Sequence, residues 1–130
     1  MAHPTKLLKE LEESMSNASI THWIFGIFRT SRSDLVDGFK GLLAVNEESL
    51  FFKSGGSNEE SRLIEVPIRE VEGLEAELDG TVKMNILLID GDYLEMSYIS
   101  RGNTKEFIRF LKIHCKNLKD EALLTEKTER

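Results

Sequence analysis

Two Asp-Gly dipeptides, at 79–80 and 90–91, limit the folds open to this chain more than any other feature. Asp-Gly between apolar segments is a strong hairpin signal, because a type I′ turn needs positive φ at both central positions. The two dipeptides separate three segments rich in strand-forming residues, at 71–78, 81–89 and 92–99. The sequence therefore predicts that these three segments form an antiparallel meander.

Four earlier segments also have the composition of strands, since aromatic and branched residues pack well on a pleated surface. They are His22–Arg29, Phe39–Val45, Ser49–Ser54 and Arg62–Val66. Pro67 is expected to end the fourth strand, because proline has no N–H to donate to a ladder. Together with the meander, these segments predict seven short strands.

Alternation along a strand indicates which side chains share a face of the sheet. In the last strand Leu94, Met96 and Tyr98 fall on one face, and Glu95 and Ser97 fall on the other. We therefore expect the first three side chains to lie together.

Two amphipathic helices flank the strands. The first is predicted over 5–16, where apolar residues recur at spacings of three and four. Its stripe consists of Leu7, Leu8, Leu11 and Met15. The second is predicted over 103–119, with Asn103 as its N-cap, and a charged tail follows at 120–130. We expect the second helix to cover the end of the sixth strand, which is apolar on both faces at 86–89.

The order of seven strands and a terminal helix resembles the pleckstrin-homology (PH) superfold. The strand pair at Gly38–Asn46 and Ser49–Phe52, and the strand–proline–strand passage at Ile64–Val71, look like those of bacterial PH-like domains of the YokE-like type. Where that family's pattern has a Thr, this chain has Val45. The resemblance covers about 20–118 of the chain.

This resemblance implies a mainly β fold with helices (α+β). The expected fold is a seven-stranded antiparallel, partly open barrel or sandwich, capped by the C-terminal helix and preceded by an N-terminal helix. We find no repeat or linker, so we expect one domain over 1–130. Several bacterial PH-like domains form homo-oligomers, and they generally lack the basic phosphoinositide site of eukaryotic members. We therefore expect a non-catalytic module that binds a protein partner or a second copy of itself, and a lipid or membrane-surface module is the alternative.

The charge balance restricts the partners. The 130 residues carry 17 Lys+Arg and 23 Asp+Glu, a formal net charge of −6. Nucleic-acid binding depends on cations that neutralise phosphates, so we expect no nucleic-acid partner. We find no apolar run of membrane-spanning length, which makes a membrane role unlikely. The single cysteine has no partner for an internal disulfide, and the chain shows no signal segment, so we expect a cytoplasmic protein.

The loop after the first strand is the candidate site for an anionic ligand. Arg29, Arg32 and Lys40 supply its cations, and Asp34 and Asp37 lie between them. Carboxylates compete with a phosphate for charged donors, so the loop makes a poor phosphate site. We interpret it as a solvated loop, with lipid binding as the alternative.

No pattern in the chain predicts catalysis or a cofactor. His3, His22 and His114 do not have the spacing of metal ligands, and we find neither a phosphate-binding glycine loop nor a nucleophile elbow. His114 and Cys115 are adjacent on a helix, where neighbouring side chains point about 100° apart. Cys115 is therefore expected to be a small buried residue. We expect no enzyme activity, no cofactor and no metal.

Three acids at alternate positions form a stripe on the fifth strand: Glu75, Glu77 and Asp79. Alternation with apolar residues is the usual pattern of a half-exposed strand. The stripe would instead be a docking site if the partner is basic.

Surplus apolar side chains predict an interface. In the first strand Trp23, Phe25 and Ile27 share one face, and Ile24 and Phe28 share the other. The N-terminal helix can cover one of these faces, and the alternative is an intermolecular contact. A further apolar side chain, Ile113, lies among the lysines of the last helix. Our candidate interface residues are Trp23, Phe28 and Ile113.

Overall fold

Seven strands and two helices make up the fold in a computed structural model that describes residues 4–14, 19–31, 38–56 and 59–115. In chain order they are α1 (Pro4–Ser14), β1 (His22–Thr30), β2 (Phe39–Val45), β3 (Ser49–Gly56), β4 (Glu59–Pro67), β5 (Val71–Glu77), β6 (Lys83–Leu88), β7 (Tyr93–Gly102) and α2 (Thr104–His114), with a short 3-10 turn (Ile68–Glu70) between β4 and β5. All seven predicted strands are present, and β4 ends at the predicted proline.

The strands form one antiparallel sheet in the order β4-β3-β2-β1-β7-β6-β5. The sheet curls into a half-barrel, which confirms the predicted fold class. Sequential strands pair within each half of the sheet, from β1 to β4 and from β5 to β7. The central pair, β1 and β7, then joins the two halves, although these two strands lie far apart in the sequence. The sheet consequently ends at β4 on one side and at β5 on the other.

The main core lies inside the curled sheet, where α2 closes it. Phe107 and Leu111 of α2 belong to a core cluster that contains apolar side chains from all seven strands. Phe28 of β1 stacks on Phe52 of β3 with ring centroids 3.9 Å apart, and both rings are fully buried. Ile24 and Phe28, which alternation places together on one face of β1, both lie in this core.

A second, smaller core lies on the outer face of the sheet, where α1 packs. Leu7 and Leu11 of α1 meet Phe25, Leu42 and Phe51 of β1, β2 and β3. This packing confirms that the N-terminal helix covers one apolar face of the first strand. Met15, also assigned to that stripe, lies outside the described residues.

Helix α2 begins at the predicted cap. The Oδ1 of Asn103 accepts a hydrogen bond from the backbone N–H of Glu106 at 3.1 Å, which satisfies one of the unpaired donors of the first turn. The helix ends at His114, because its C-cap Cys115 has an extended backbone with φ of −91° and ψ of 101°. The prediction that the helix continues through 115 is therefore wrong, and 116–119 lie outside the described residues.

The pairing of β1 with β7 contains a bulge. Its register changes between Phe25 and Ile27, and Tyr98 on β7 has a left-handed φ of 50°. A bulge adds a residue to one strand and turns the following side chains to the other face. Tyr98 is therefore 64% exposed, and Ile99 packs against the main core instead. The prediction that Tyr98 lies with Leu94 and Met96 is wrong for this reason.

The two Asp-Gly turns connect the predicted strands but are not type I′. Gly80 and Gly91 have φ of 69° and 92°, whereas neither preceding aspartate has positive φ. In the second turn the N–H of Gly91 donates to the carbonyl of Leu88 at 3.0 Å. Each loop is thus longer than two residues, and only its glycine adopts the left-handed conformation.

The main core, which α2 closes, covers only one face of the apolar end of β6. Ile86 and Leu88 are buried in the main core, but Leu87 and Ile89 are exposed. The expectation of a cover over both faces is therefore wrong, because α2 lies inside the curled sheet and leaves the outer face open.

Candidate functional site

The outer face of the half-sheet β5-β6-β7 is the candidate site. On the other half of the sheet, α1 lies over this same face. Within the described residues, no helix packs over the outer side of β5, β6 and β7. We call the outer surface of β5 and β6, with the loop that joins them, the acidic face.

Cross-strand pairing sets the side chains of the acidic face in rows. Glu77 lies opposite Lys83, Glu75 lies opposite Asn85, and Gly73 lies opposite Leu87. The row of Glu75 continues through Asn85 to Glu95 on β7 and then to Arg29 on β1. The face therefore changes from charged side chains at one end to an apolar side chain at the other.

The predicted acidic stripe is exposed. Glu75 and Glu77 alternate with the buried Leu74 and Ala76, and Asp79 is exposed in the loop that follows β5. Strand alternation explains this arrangement without any ligand, which is the first of the two interpretations that the sequence offers. The structure adds that β5 is the last strand of the sheet.

A cleft of about 270 Å³ opens at the middle of the acidic face. Glu75, Glu77, Lys83 and Asn85 line it together with Ala76. The Oδ1 of Asn85 is buried and has no hydrogen-bond partner among the described residues. A buried acceptor without a partner costs free energy.

The predicted anionic-ligand loop is not assembled as a phosphate site in the described residues. An Nη1 of Arg29 donates to Oε2 of Glu95 at 3.0 Å, so a carboxylate already neutralises this guanidinium. Lys40 is exposed on β2. Arg32, Asp34 and Asp37 lie outside the described residues.

The three predicted interface residues occupy different environments. Phe28 is 0% exposed inside the main core, so the structure makes it a core residue with no surface to offer a partner. Trp23 is partly buried against the outer core under α1. Ile113 is 69% exposed on α2, and it remains a candidate contact.

The cysteine and the histidines do not form a nucleophilic pair. Cys115 is buried, and burial raises the pKa of its thiol to about 12, which leaves it protonated and unreactive. His114 instead contacts the ring of Phe110 with centroids 4.2 Å apart, and His22 contacts the same ring edge-on at 5.2 Å. His3 lies outside the described residues. Among the residues that the structure describes, no group of three metal-binding side chains comes together.

A second cleft lies at the end of α2, against the turn between β2 and β3. Glu47, Glu48, Glu65, Arg69 and His114 are among its lining residues. Glu65 accepts a hydrogen bond from the Ser49 hydroxyl at 2.9 Å. The described side chains therefore give this cleft a mixed charge, which selects no single ligand class.

Two features of the site were not accessible from the sequence. The exact register that sets Asn85 opposite Glu75 and Leu87 opposite Gly73 depends on the length of the hairpin loop and on a bulge in the β5–β6 pair. The position of β5 as the last strand depends on strand order, which local patterns do not show. The only local signal is the apolar run at 86–89, which indicated more apolar surface than one core needs.

Comparison with known proteins supports the fold alone. No family model matches the chain, and no curated protein matches it significantly. Among solved structures, the pleckstrin homology (PH) domain of USP37 superposes with a TM-score of 0.54 at 15% identity, over 72% of this chain and 95% of that one. The chain therefore has a PH-like fold. No helix within the described ranges is long and apolar enough to cross a membrane.

Proposed function

We propose that this chain is a non-catalytic module that binds another protein through the outer face of the half-sheet β5-β6-β7. The observation that carries the proposal is the asymmetry of the outer surface. Helix α1 buries the outer face of β1, β2 and β3, whereas Leu87 and Ile89 remain exposed on the other half. Exposed apolar side chains that adjoin polar rims are typical of protein contacts.

The finer assignments belong to the same proposal. We infer a bacterial PH-like domain of the YokE-like type that acts as one domain in the cytoplasm. The support is the strand-pair motif, the continuous sheet and the single cysteine, which excludes an internal disulfide. Lipid binding is the weaker candidate, because the guanidinium of Arg29 is already paired with Glu95.

A capture experiment with two matched variants tests the function. The tagged wild-type chain is used to recover proteins from its source cells, in parallel with two variants. These are Leu87→Glu on the acidic face and Ile113→Glu on α2. Both side chains are exposed, so neither change should unfold the protein, and circular dichroism verifies this. Each recovered protein is then purified and its binding is measured directly.

The expected result is a purified partner that binds the wild-type chain and loses affinity for Leu87→Glu. Loss with Ile113→Glu alone would move the contact to α2 and contradict our placement of the site. If no purified protein binds while vesicles of anionic lipid do, the function itself is wrong.

A further inference from the structure

We propose that the acidic face selects a partner segment that combines lysine or arginine side chains with an apolar anchor. This inference rests on the proposed function and specifies the chemistry of its partner. The occupant is a basic segment of another protein rather than a second copy or the chain's own terminus.

The first argument is that the carboxylates of the face have no partner among the described residues. Glu75, Glu77 and Asp79 are exposed, and none of them takes part in an ion pair. Glu75 and Glu77 project from the same side of one strand, and alternate strand residues lie about 6.6 Å apart. An incoming chain with cations at a similar spacing could therefore pair with both at once.

The second argument is the excess of acceptors over cations in the described lining of the cleft. Two of the residues that line the cleft, Glu75 and Glu77, carry carboxylates, and Asn85 lines it opposite Glu75. Lysine and arginine side chains carry only donors, so they match the carboxylates of the cleft. Lys83 is the one cation in the described lining of the cleft, against two acids.

The third argument is the apolar end of the face. Leu87 is 38% exposed, and the residue opposite it on β5 is Gly73, which is buried and has no side chain to compete for contact with Leu87. An apolar side chain of the partner can pack in this place, two residues along β6 from Asn85. The face thus offers an apolar contact next to a row of acids. The partner segment is therefore expected to carry its apolar anchor at one end and its cations at the other.

Charge argues against the other two occupants. A second copy carries the same net charge of −6, so its approach is opposed overall. The chain's own terminus at 116–130 contains four basic and four acidic residues, so it has no net charge to complement the face.

Three synthetic peptides test the inference. Each has the sequence Leu-Ser-Leu-Ser-X-Ser-X-Ser-X, with X as Lys, Gln or Glu, and binding is followed by NMR titration of the full chain at low salt. We expect the Lys peptide to shift the amide signals of β5 and β6 and to bind about tenfold more tightly than the Gln peptide, since each exposed ion pair contributes little. The Glu peptide should not bind.

Two charge-reversed variants identify the surface. Glu75→Lys with Glu77→Lys should abolish binding of the Lys peptide. Glu47→Lys with Glu48→Lys changes the net charge equally at the exposed turn between β2 and β3, and it should retain binding. Equal loss in both variants would mean that only overall charge matters, and the inference would be overturned.

The remaining outcomes separate this inference from the proposed function. If the Gln peptide binds the face as tightly as the Lys peptide, the face binds protein segments but does not select cations. If a protein recovered from cells binds the acidic face while none of the three peptides binds, the inference alone is wrong. Self-association of the wild type that disappears in Glu75→Lys with Glu77→Lys would identify a second copy as the occupant and overturn our assignment.

Discussion

Replacement of Phe28 by alanine tests whether this side chain is structural. The ring is fully buried and stacks on Phe52 at 3.9 Å, so its removal leaves a cavity in the main core. A buried phenylalanine changed to alanine costs about 3–5 kcal/mol of unfolding free energy. Domains of this size have a total stability of about 5–15 kcal/mol, so the variant should lose a large fraction of it.

A matched control exists on the neighbouring strand. Phe39 pairs with Phe28 across β1 and β2 but is 37% exposed. Because its ring already contacts water, Phe39→Ala should cost less than half as much as Phe28→Ala. Urea denaturation, followed by tryptophan fluorescence, measures both changes, with the denaturant slope as a check on two-state unfolding.

The opposite result would refute the reasoning. A loss below about 1 kcal/mol in Phe28→Ala would mean that the ring is not enclosed as described. Weaker partner binding in that variant at unchanged stability would instead support the prediction from the sequence that Phe28 is an interface residue.

Two further predictions concern α2. Asn103→Ala should lower the unfolding free energy by about 1 kcal/mol, because the N–H of Glu106 loses its capping acceptor, whereas Asn103→Asp should retain the stability in the same denaturation assay. The thiol of Cys115 should resist alkylation at pH 8 until the chain unfolds, and rapid labelling of the native protein would contradict its burial. Folding raises the pKa of this thiol from 9.0 to about 12. The stability that the buried thiol contributes is therefore present below pH 9 and is lost as the pH rises towards 12. Cys115→Val has no thiol to ionise, so its unfolding free energy should fall less over that range.

Local patterns predicted the elements well because each strand and helix has its own signals. Pro67 ends β4, Asn103 caps α2, and the leucine spacing of α1 indicates its buried stripe. These features depend on neighbours within a few residues, which the sequence displays directly.

The errors came from contacts between distant segments. Phe28 and Phe25 are both apolar, so alternation separates their faces but does not say which face holds the main core. Tyr98 leaves the buried face because β7 bulges beside Gly26, where the backbones lie so close that an added Cβ would be 2.6 Å from the carbonyl oxygen of Ser97. That constraint depends on the pairing of β1 with β7, which no local pattern contains.

The candidate site was predictable only in part for the same reason. Alternation identified Glu75 and Glu77 as exposed, and the structure agrees. Their place at the end of the sheet, next to Asn85 and Leu87, follows from the strand order.

The division of the apolar residues into two cores makes α1 a separable part of the fold. The sheet stands between Leu11 and the main core, so the helix can detach while the interior of the half-barrel stays packed. Detachment would expose Phe25, Leu42 and Phe51 together on the outer face, a surface prone to aggregation. Helix α1 therefore protects this half of the sheet from association with other chains. Proteolytic removal of α1 would lower the solubility of the protein before it unfolds the half-barrel.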